Sequence, residues 1–236
     1  MNKIKCIGVI IILIGLTLNI WAETLIGSGN IVVDERGLPS FKYIIIQGGI
    51  NLILKHDINQ YLSVETDDNL LEQVKTRVEN DTLYIDAGGT VNFSTEPTVY
   101  ISSDNLEYCE IIGSAEVSSE NQLSFPQITF NICGSANVKV DVNVQQISTD
   151  ISGSASVTYT GQANLQHITI QGSAEVNSVD LVTSITHCDI KGSGHCLVQV
   201  SDSLYANISG VGKIDYRGNP VIVKNLSLTG ILEKLD

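Results

Sequence analysis

The chain has 236 residues, and its 26 acidic residues outnumber its 13 Lys and Arg residues, for a formal net charge of −13. Hydrophobic residues make up 43% of the chain, too large a share for an intrinsically disordered protein. The acidic excess argues against a nucleic acid partner, because phosphate backbones require a Lys- and Arg-rich surface. It also disfavours charge-driven binding to anionic membranes.

The first segment of the chain has the features of a signal peptide. Lys3 and Lys5 precede an apolar run from Ile7 to Leu18, and the small residue Ala22 stands before Glu23. A retained membrane anchor is the alternative, but the run is shorter than the ~20 apolar residues that a spanning helix needs. We therefore expect residues 1–22 to be removed on export, leaving no transmembrane segment.

The remaining residues, 23–236, are predicted to form one domain with a regular and a less regular region. Gly-Ser-Ala-x-Val occurs at 113–117, 134–138, 153–157 and 172–176. Degenerate copies start at Gly192 and Gly210, Gly230 begins a partial copy, and successive glycines are 18 to 21 residues apart. A steady period of this size predicts a solenoid, regular from about residue 106 to residue 232.

Aligning the copies on their glycine separates apolar from polar columns. The column two residues before the glycine contains only Ile and Leu: Ile111, Ile132, Ile151, Ile170, Ile190, Ile208 and Leu228. The column two residues after it contains only Ala and Gly: Ala115, Ala136, Ala155, Ala174, Gly194 and Gly212. Four residues after it stand Val117, Val138, Val157, Val176, Cys196 and Ile214. Even offsets are apolar and odd offsets mostly polar, which is the periodicity of a strand with its even face in the core.

These columns predict an all-β fold, a right-handed parallel β-helix (β-solenoid) with coils of about 20 residues. Leucine-rich repeats and helix-pair repeats would show other patterns, and an antiparallel sandwich would not need the same residue at the same offset in every copy. In a parallel β-helix the coils stack roughly 4.8 Å apart, so equivalent positions form ladders. The glycine is expected at a bend of each coil.

The segment up to about residue 105 repeats less regularly. Phe41 to Leu54 is typical of two strands joined at a Gly-Gly pair, and the segments Tyr61–Thr66 and Thr82–Ala87 are further candidate strands. One short helical turn is expected between Asp68 and Glu79, capped by Asp67 or Asp68. The rest of the segment is expected to form more coils of the same solenoid.

A family resemblance is carried by an ordered set of motifs. The motifs are Phe41-Lys42-Tyr43-Ile44-Ile45-Ile46, Gly49-Ile50-Asn51-Leu52, Asp67-Asp68-Asn69-Leu70-Leu71, Thr82-Leu83-Tyr84-Ile85, Val99-Tyr100-Ile101, Leu106 and the repeated Gly-Ser-Ala. With them the chain resembles the bacterial head GIN domain family, labelled "putative auto-transporter adhesin", over about residues 28 to 232. The resemblance implies an exported β-helix-like domain and brings no catalytic residues.

Two polar columns hold the candidate site residues. Three residues before the glycine stand Glu110, Asn131, Asp150, Thr169, Asp189, Asn207 and Ser227, and five before it stand Tyr108, Thr129, Ser148, His167, His187, Tyr205 and Asn225. His167 and His187 should be neighbours on adjacent coils with Asp189 nearby, and they are weak candidates for a Zn²⁺ or Cu²⁺ site. A third protein ligand of comparable quality is not evident, so we expect no metal, no cofactor and no catalytic residue.

The register also predicts the state of the cysteines. Cys109, Cys188 and Cys196 lie at even, inward offsets and Cys133 at an outward one. Cys109 and Cys133 are three residues out of register, roughly 10 Å along a strand, beyond the reach of a disulfide. We expect three thiols packed as small apolar residues, while a Cys188–Cys196 bridge would need a sharp fold at the corner.

The predicted function is that of an exported, non-enzymatic β-solenoid. It would act as an adhesin-like or envelope binding protein that presents a repetitive polar surface to a protein or a glycan. Its location would be the periplasm, the cell surface or the medium. Two alternatives stay open: a polysaccharide-active β-helix enzyme, and a purely structural envelope protein.

Export gives the first prediction. Expressed from the full-length sequence in a bacterial host, the mature protein should begin near Glu23, because signal peptidase cuts after a small residue that follows an apolar run. N-terminal sequencing of envelope material measures this directly. Finding Met1 there would contradict the prediction.

Overall fold

A computed structural model describes residues 24–88 and 91–235 of the chain. The signal peptide predicted at residues 1–22 lies outside the described residues. The protein is a β-solenoid of about seven turns with coils of about 19 residues, as the repeat predicted. Its strands are almost all members of one continuous sheet that winds around an apolar core.

The strands of the N-terminal region are short. They are β1 (Leu25–Ile26), β2 (Ile31–Glu35), β3 (Tyr43–Gln47), β4 (Asn51–His56), β5 (Tyr61–Asp67), β6 (Lys75–Glu79), β7 (Thr82–Asp86), β8 (Val91–Asn92) and β9 (Thr98–Ser103). One 3₁₀-helix, Asp68–Gln73, lies between β5 and β6.

The strands of the repeat region differ in length: the five in its middle have 12 to 17 residues, and those at its two ends have four to six. They are β10 (Tyr108–Gly113), β11 (Glu116–Ser119), β12 (Leu123–Gly134), β13 (Asn137–Gly153), β14 (Ser156–Gly172), β15 (Glu175–Ile190), β16 (His195–Ile208), β17 (Lys213–Arg217), β18 (Val221–Leu226) and β19 (Ile231–Lys234).

Equivalent positions of the repeat stack directly on one another, in parallel register. Ile132 pairs with Ile151, which pairs with Ile170, and both of the latter are at most 2% exposed. The alanine and valine columns predicted from the sequence are buried in the same way. Burying a continuous stack of branched apolar side chains supplies most of the driving force for this fold, at roughly 25 cal/mol per Å² of apolar surface.

The corner glycine is required by the spacing between coils. The carbonyl of Gly113 accepts a hydrogen bond from the amide of Ser135 (2.9 Å) on the next coil. A Cβ added at Gly134, whose φ is +142°, would collide with that same carbonyl. Only glycine combines this backbone angle with so close an approach of two coils.

The last coil corrects the predicted alignment by two residues. Ile208 pairs with Leu226 rather than with Leu228, which points into solvent. The cause is the final corner, where the amide of Gly230 donates to the carbonyl of Ser227 (3.2 Å) and closes a turn of its own. Gly230 therefore aligns with Gly212 of the preceding coil, and not with Gly210 as predicted.

The same shift moves two members of the predicted polar columns. Asn225 pairs with Asn207, and Val223 takes the place predicted for Asn225 beside Tyr205. Ser227 leaves its predicted column because it belongs to the final turn.

The N-terminal region consists only partly of coils, which corrects the expectation that, apart from one helical turn, it forms more coils of the same solenoid. The coil formed by β3 and β4 lies between the coil of β7 and β9 and the coil of β10 and β11, with parallel pairing on both sides. Strands β2, β5 and β6 run antiparallel to their neighbours. The chain therefore does not enter this end of the solenoid in sequence order.

A tight turn explains one of these antiparallel strands. Asn80 and Asp81 connect β6 to β7, and both have positive φ (50° and 59°). Two such residues between strands are typical of the hairpin turn whose twist matches a twisted sheet. Because a two-residue loop can join only antiparallel strands, β6 runs back along β7.

The predicted helical turn is present as the 3₁₀-helix, but its predicted cap is not. Asp67 precedes the helix and makes no capping hydrogen bond to it. Its carboxylate instead accepts from the amide of Gly29 (2.7 Å) and from the hydroxyl (2.6 Å) and amide of Ser94. These hydrogen bonds lower the pKa of Asp67, and they fasten two distant loops to the end of β5.

The cysteines follow the predicted register. Cys109, Cys188 and Cys196 are free and buried, so no bridge joins Cys109 to Cys133 or Cys188 to Cys196. Burial raises the pKa of Cys109 to about 12, and the thiol remains protonated in the core. Burial and then a contact with Cys188 raise the pKa of Cys196. The three thiols are packing groups, as their columns predicted.

The isoleucine column generates the second prediction. Replacing Ile170 by Ala should lower the free energy of unfolding by about 2–5 kcal/mol, because the cavity left between Ile151 and Ile190 cannot collapse within a stacked ladder. Ile112→Ala is the matched control, since Ile112 is 39% exposed on the outer side of the sheet, and it should cost well under half as much. Urea denaturation of both variants measures the difference. Equal losses would contradict the core assignment.

Candidate functional site

A column of rings lies on the outside of β14, β15 and β16. His167 pairs with His187, which pairs with Tyr205. The two imidazoles have centroids 4.7 Å apart, and the rings of His187 and Tyr205 stack at 4.3 Å with 8° between their planes. Because both faces of His187 are covered, the column presents ring edges with their nitrogen and hydroxyl groups to solvent.

A second row of polar groups runs beside the rings. The side-chain amide of Asn207 donates to Asp189 (3.0 Å), and that of Asn225 donates to Asn207 (3.0 Å). At the other end of the same row, Asn131 donates to Glu110 (3.1 Å). Asn131 separates Glu110 from Asp150, and Thr169 separates Asp150 from Asp189, so these acids are not direct neighbours and their repulsion is reduced.

Together these side chains define what we call the ring-and-amide face: His167, His187, Tyr205, Asp189, Asn207 and Asn225. They surround a shallow depression of about 410 Å³ that Lys224 also lines. Parallel pairing fixes every side chain of the face in register, so the donors and acceptors recur at the spacing of the coils, roughly 4.8 Å.

The titration behaviour of the two histidines follows from their position. Burial and then the neighbouring His187 lower the pKa of His167, and burial lowers the pKa of His187. Both imidazoles are therefore uncharged at neutral pH, and each can donate one hydrogen bond and accept another.

The structure brings together the three predicted metal candidates, His167, His187 and Asp189, on adjacent coils. Between residues 24 and 235, apart from residues 89 and 90, no group of three or more His, Cys, Asp or Glu side chains is arranged to hold a metal ion. The carboxylate of Asp189 is engaged instead by Asn207 and by Lys191 at 3.6 Å.

The sequence analysis missed one polar cluster, which forms around His195. The Nε2 atom of His195 lies 2.8 Å from the carboxylate of Asp215, which is only 3% exposed. Lys213 lies 3.0 Å from both Asp215 and Glu233. Part of the signal was in the predicted register, where Lys213 stands at the offset of His195 and Asp215 lies two residues further on. Glu233 belongs to the last coil, whose alignment the sequence misplaces.

The protein is a long β-solenoid that carries polar side chains in register on one face, and the sequence of the chain identifies the family to which it belongs. The chain matches, over residues 40–220, the family described as "Putative auto-transporter adhesin, head GIN domain". The match spans well over half of the chain, and the protein belongs to this family, which confirms the resemblance seen in its motifs. Among the curated proteins, none matches this chain.

Solved structures share the fold. A putative adhesin from Bacteroides fragilis aligns with a TM-score of 0.80 at 21% identity, covering 89% of this chain and 100% of that chain. A putative lipid binding protein from Parabacteroides distasonis aligns with a TM-score of 0.70 at 22% identity, covering 90% and 99%. A putative adhesin from Parabacteroides merdae aligns with a TM-score of 0.64 at 19% identity, covering 90% and 99%.

Helices contribute little to the described chain. Within residues 24–88 and 91–235, no helical segment has the length and apolarity needed to cross a membrane.

The lowered histidine pKa values generate a third prediction. The pKa of His167 should lie below its ordinary value of 6.5 and should rise in His187→Asn, because that substitution removes a neighbouring positive charge. The unfolded chain takes up protons at these groups before the folded one, so stability should fall as the pH drops below about 6.5. NMR titration of the imidazoles checks the shift, and an unchanged pKa in His187→Asn would contradict it.

The same pair generates a prediction about metal. Isothermal titration with Zn²⁺ should show no submicromolar site, because two imidazoles without a third free ligand bind zinc weakly. His187→Ala serves as the control. Submicromolar affinity that disappears in this variant would overturn the prediction.

Proposed function

We propose that this protein is exported and acts without catalysis as an adhesin-like binding protein at the cell envelope. Its ring-and-amide face would contact a protein or a glycan outside the cytoplasm, in the periplasm, on the cell surface or in the medium. Membership of a family labelled as adhesins supports this proposal, and so do the fold neighbours described as adhesins.

The observation that carries the proposal is the fixed register of the polar rows. Asp189, Asn207 and Asn225 form a hydrogen-bonded chain across three coils, beside three stacked rings. Side chains held in this way lose little conformational entropy when a partner binds, which makes a flat surface an effective binding surface. A long partner with its own repeat, such as a polysaccharide or an extended strand, could contact several coils at once.

The contacts of Asp189 support a non-enzymatic role for this face. One carboxylate oxygen accepts a hydrogen bond from the amide of Asn207 (3.0 Å), and the other lies 3.6 Å from Lys191. Because both oxygens are already engaged, the carboxylate is less available to act on a substrate.

The test uses purified residues 23–236 on a glycan array and on immobilised cell-envelope material. The variant His187→Ala/Asn207→Ala should lower binding about tenfold or more, because it removes a ring and an amide from the middle of both rows. The matched control is Gln162→Ala, which removes another exposed coil-to-coil amide contact, that with Asn143, outside the face.

Two results would contradict the proposal. Release of reducing ends from acidic polysaccharides by the wild-type protein would identify an enzyme. Absence of binding to every glycan and to the envelope material would favour a purely structural role.

A further inference from the structure

A second surface lies on the N-terminal region of the solenoid, away from the ring-and-amide face. The outer sides of β2, β4, β5 and β9 enclose an open groove of about 520 Å³. We call it the tyrosine groove and define it by Ile53, Tyr61, Ser63, Glu65, Tyr100 and Ser102. Its volume lies within the range of about 300–1,000 Å³ that is typical of small-ligand sites.

The groove is produced by the register of two antiparallel strands. Tyr61 of β5 stands opposite Ser102 of β9, and Ser63 of β5 stands opposite Tyr100 of β9. The two large side chains therefore occupy diagonal positions on the same face, while the two small ones leave space between them. Ser63 and Ser102 are 2% and 6% exposed and form the floor.

Both tyrosine rings are held in place before any ligand arrives. The hydroxyl of Tyr100 donates to Glu65 (3.1 Å), and that of Tyr61 donates to Glu35 (3.3 Å). Burial and then Glu65 raise the pKa of Tyr100, so its hydroxyl stays protonated and remains a donor. Tyr61 is 40% exposed, which leaves part of its ring open to a ligand. Rigid aromatic walls bind at a low entropic cost because few torsions have to be ordered.

The charges around the groove select against anions. Glu65, Asp57 and Glu120 line it together with a single cation, Lys55, which lies 3.4 Å from Glu120. An acidic polysaccharide or a phosphate headgroup would meet a net negative surface. A neutral ligand with many hydroxyls would find carboxylates as acceptors, Lys55 as a donor, and apolar surface on Tyr61, Tyr100 and Ile53.

We propose that the tyrosine groove binds a neutral saccharide, with Tyr61 and Tyr100 packing against sugar rings and Glu65 and Lys55 hydrogen bonding to their hydroxyls. This inference rests on the proposed function in one respect, that a partner of the protein is a glycan. The groove is a site of its own, separated along the solenoid from the ring-and-amide face.

The experiment measures binding of purified residues 23–236 to cellopentaose, maltopentaose and mannopentaose by isothermal titration. At least one of these neutral sugars should bind with a Kd below about 1 mM. Oligogalacturonate and tetralysine are the charged comparison probes. Both should bind more weakly than that neutral sugar, and tighter binding of either one would overturn the inference.

Variants locate the site. Tyr61→Ala and Tyr100→Ala should each weaken the binding of the neutral sugar about tenfold, whereas Tyr100→Phe should keep most of it, because the ring remains. The matched control is Tyr84→Ala, which removes a half-buried tyrosine outside both surfaces, where Arg77 lies 4.3 Å from the ring centroid, and it should leave sugar binding unchanged. Circular dichroism and the Tm verify that each variant is folded.

Three outcomes would overturn the inference: no binding of any neutral sugar, binding that is insensitive to both alanine variants, or equal losses in Tyr84→Ala. These outcomes are separable from a failure of the proposed function. If no neutral sugar binds while envelope material still binds to the wild type and to the groove variants but not to His187→Ala/Asn207→Ala, the inference fails and the proposed function stands.

Discussion

The carbonyl of a corner glycine accepts a hydrogen bond from an amide of the following coil. That amide belongs to a serine at four corners, as between Gly134 and Ser154 (2.9 Å), and to Val211 at Gly192. This contact sets the distance between coils at the point where the chain turns most sharply. A methyl group at the glycine would occupy the place of the neighbouring carbonyl, so the corner tolerates no side chain. The isoleucine, alanine and valine columns pack as they do because this backbone contact holds the coils in one register.

The same register creates the outer surface. A side chain one coil further along lies directly above its equivalent, and chemically similar residues therefore form rows rather than scattered groups. His187 contacts His167 on one side and Tyr205 on the other, although about 20 residues separate successive members. The tyrosine groove has a different origin, since it depends on antiparallel pairing of β5 with β9 and on the alternation of large and small residues across that pair.

The repeat region of the fold could be predicted because each column is local to one copy of the repeat. The burial of Ile151 and Cys196 follows from counting residues from the corner glycine of each copy, Gly153 and Gly192. The last coil could not be placed in this way. Gly230 resembles a corner glycine in the sequence but aligns with Gly212, two residues after the corner glycine Gly210. Only the turn between Ser227 and Gly230 reveals the difference. The adjacency of His167, His187 and Asp189 was predictable for the same reason as the core, whereas the tyrosine groove was not. Tyr61 and Tyr100 are 39 positions apart, in a region of the chain without a repeat from which a register could be read.

The placement of β3 and β4 between two later coils has a consequence for how the molecule assembles. Both edges of this coil are closed by strands that follow it in the chain, β7 and β9 on one side and β10 and β11 on the other. A nascent chain that emerges from its N-terminus cannot complete this region coil by coil, because the strand edges stay open until residue 119 is present. From that point each further coil finds a finished template and can be added in sequence order, as in other linear repeat proteins. Emergence of the chain from its N-terminus would thus divide folding into a long-range closure followed by stepwise growth.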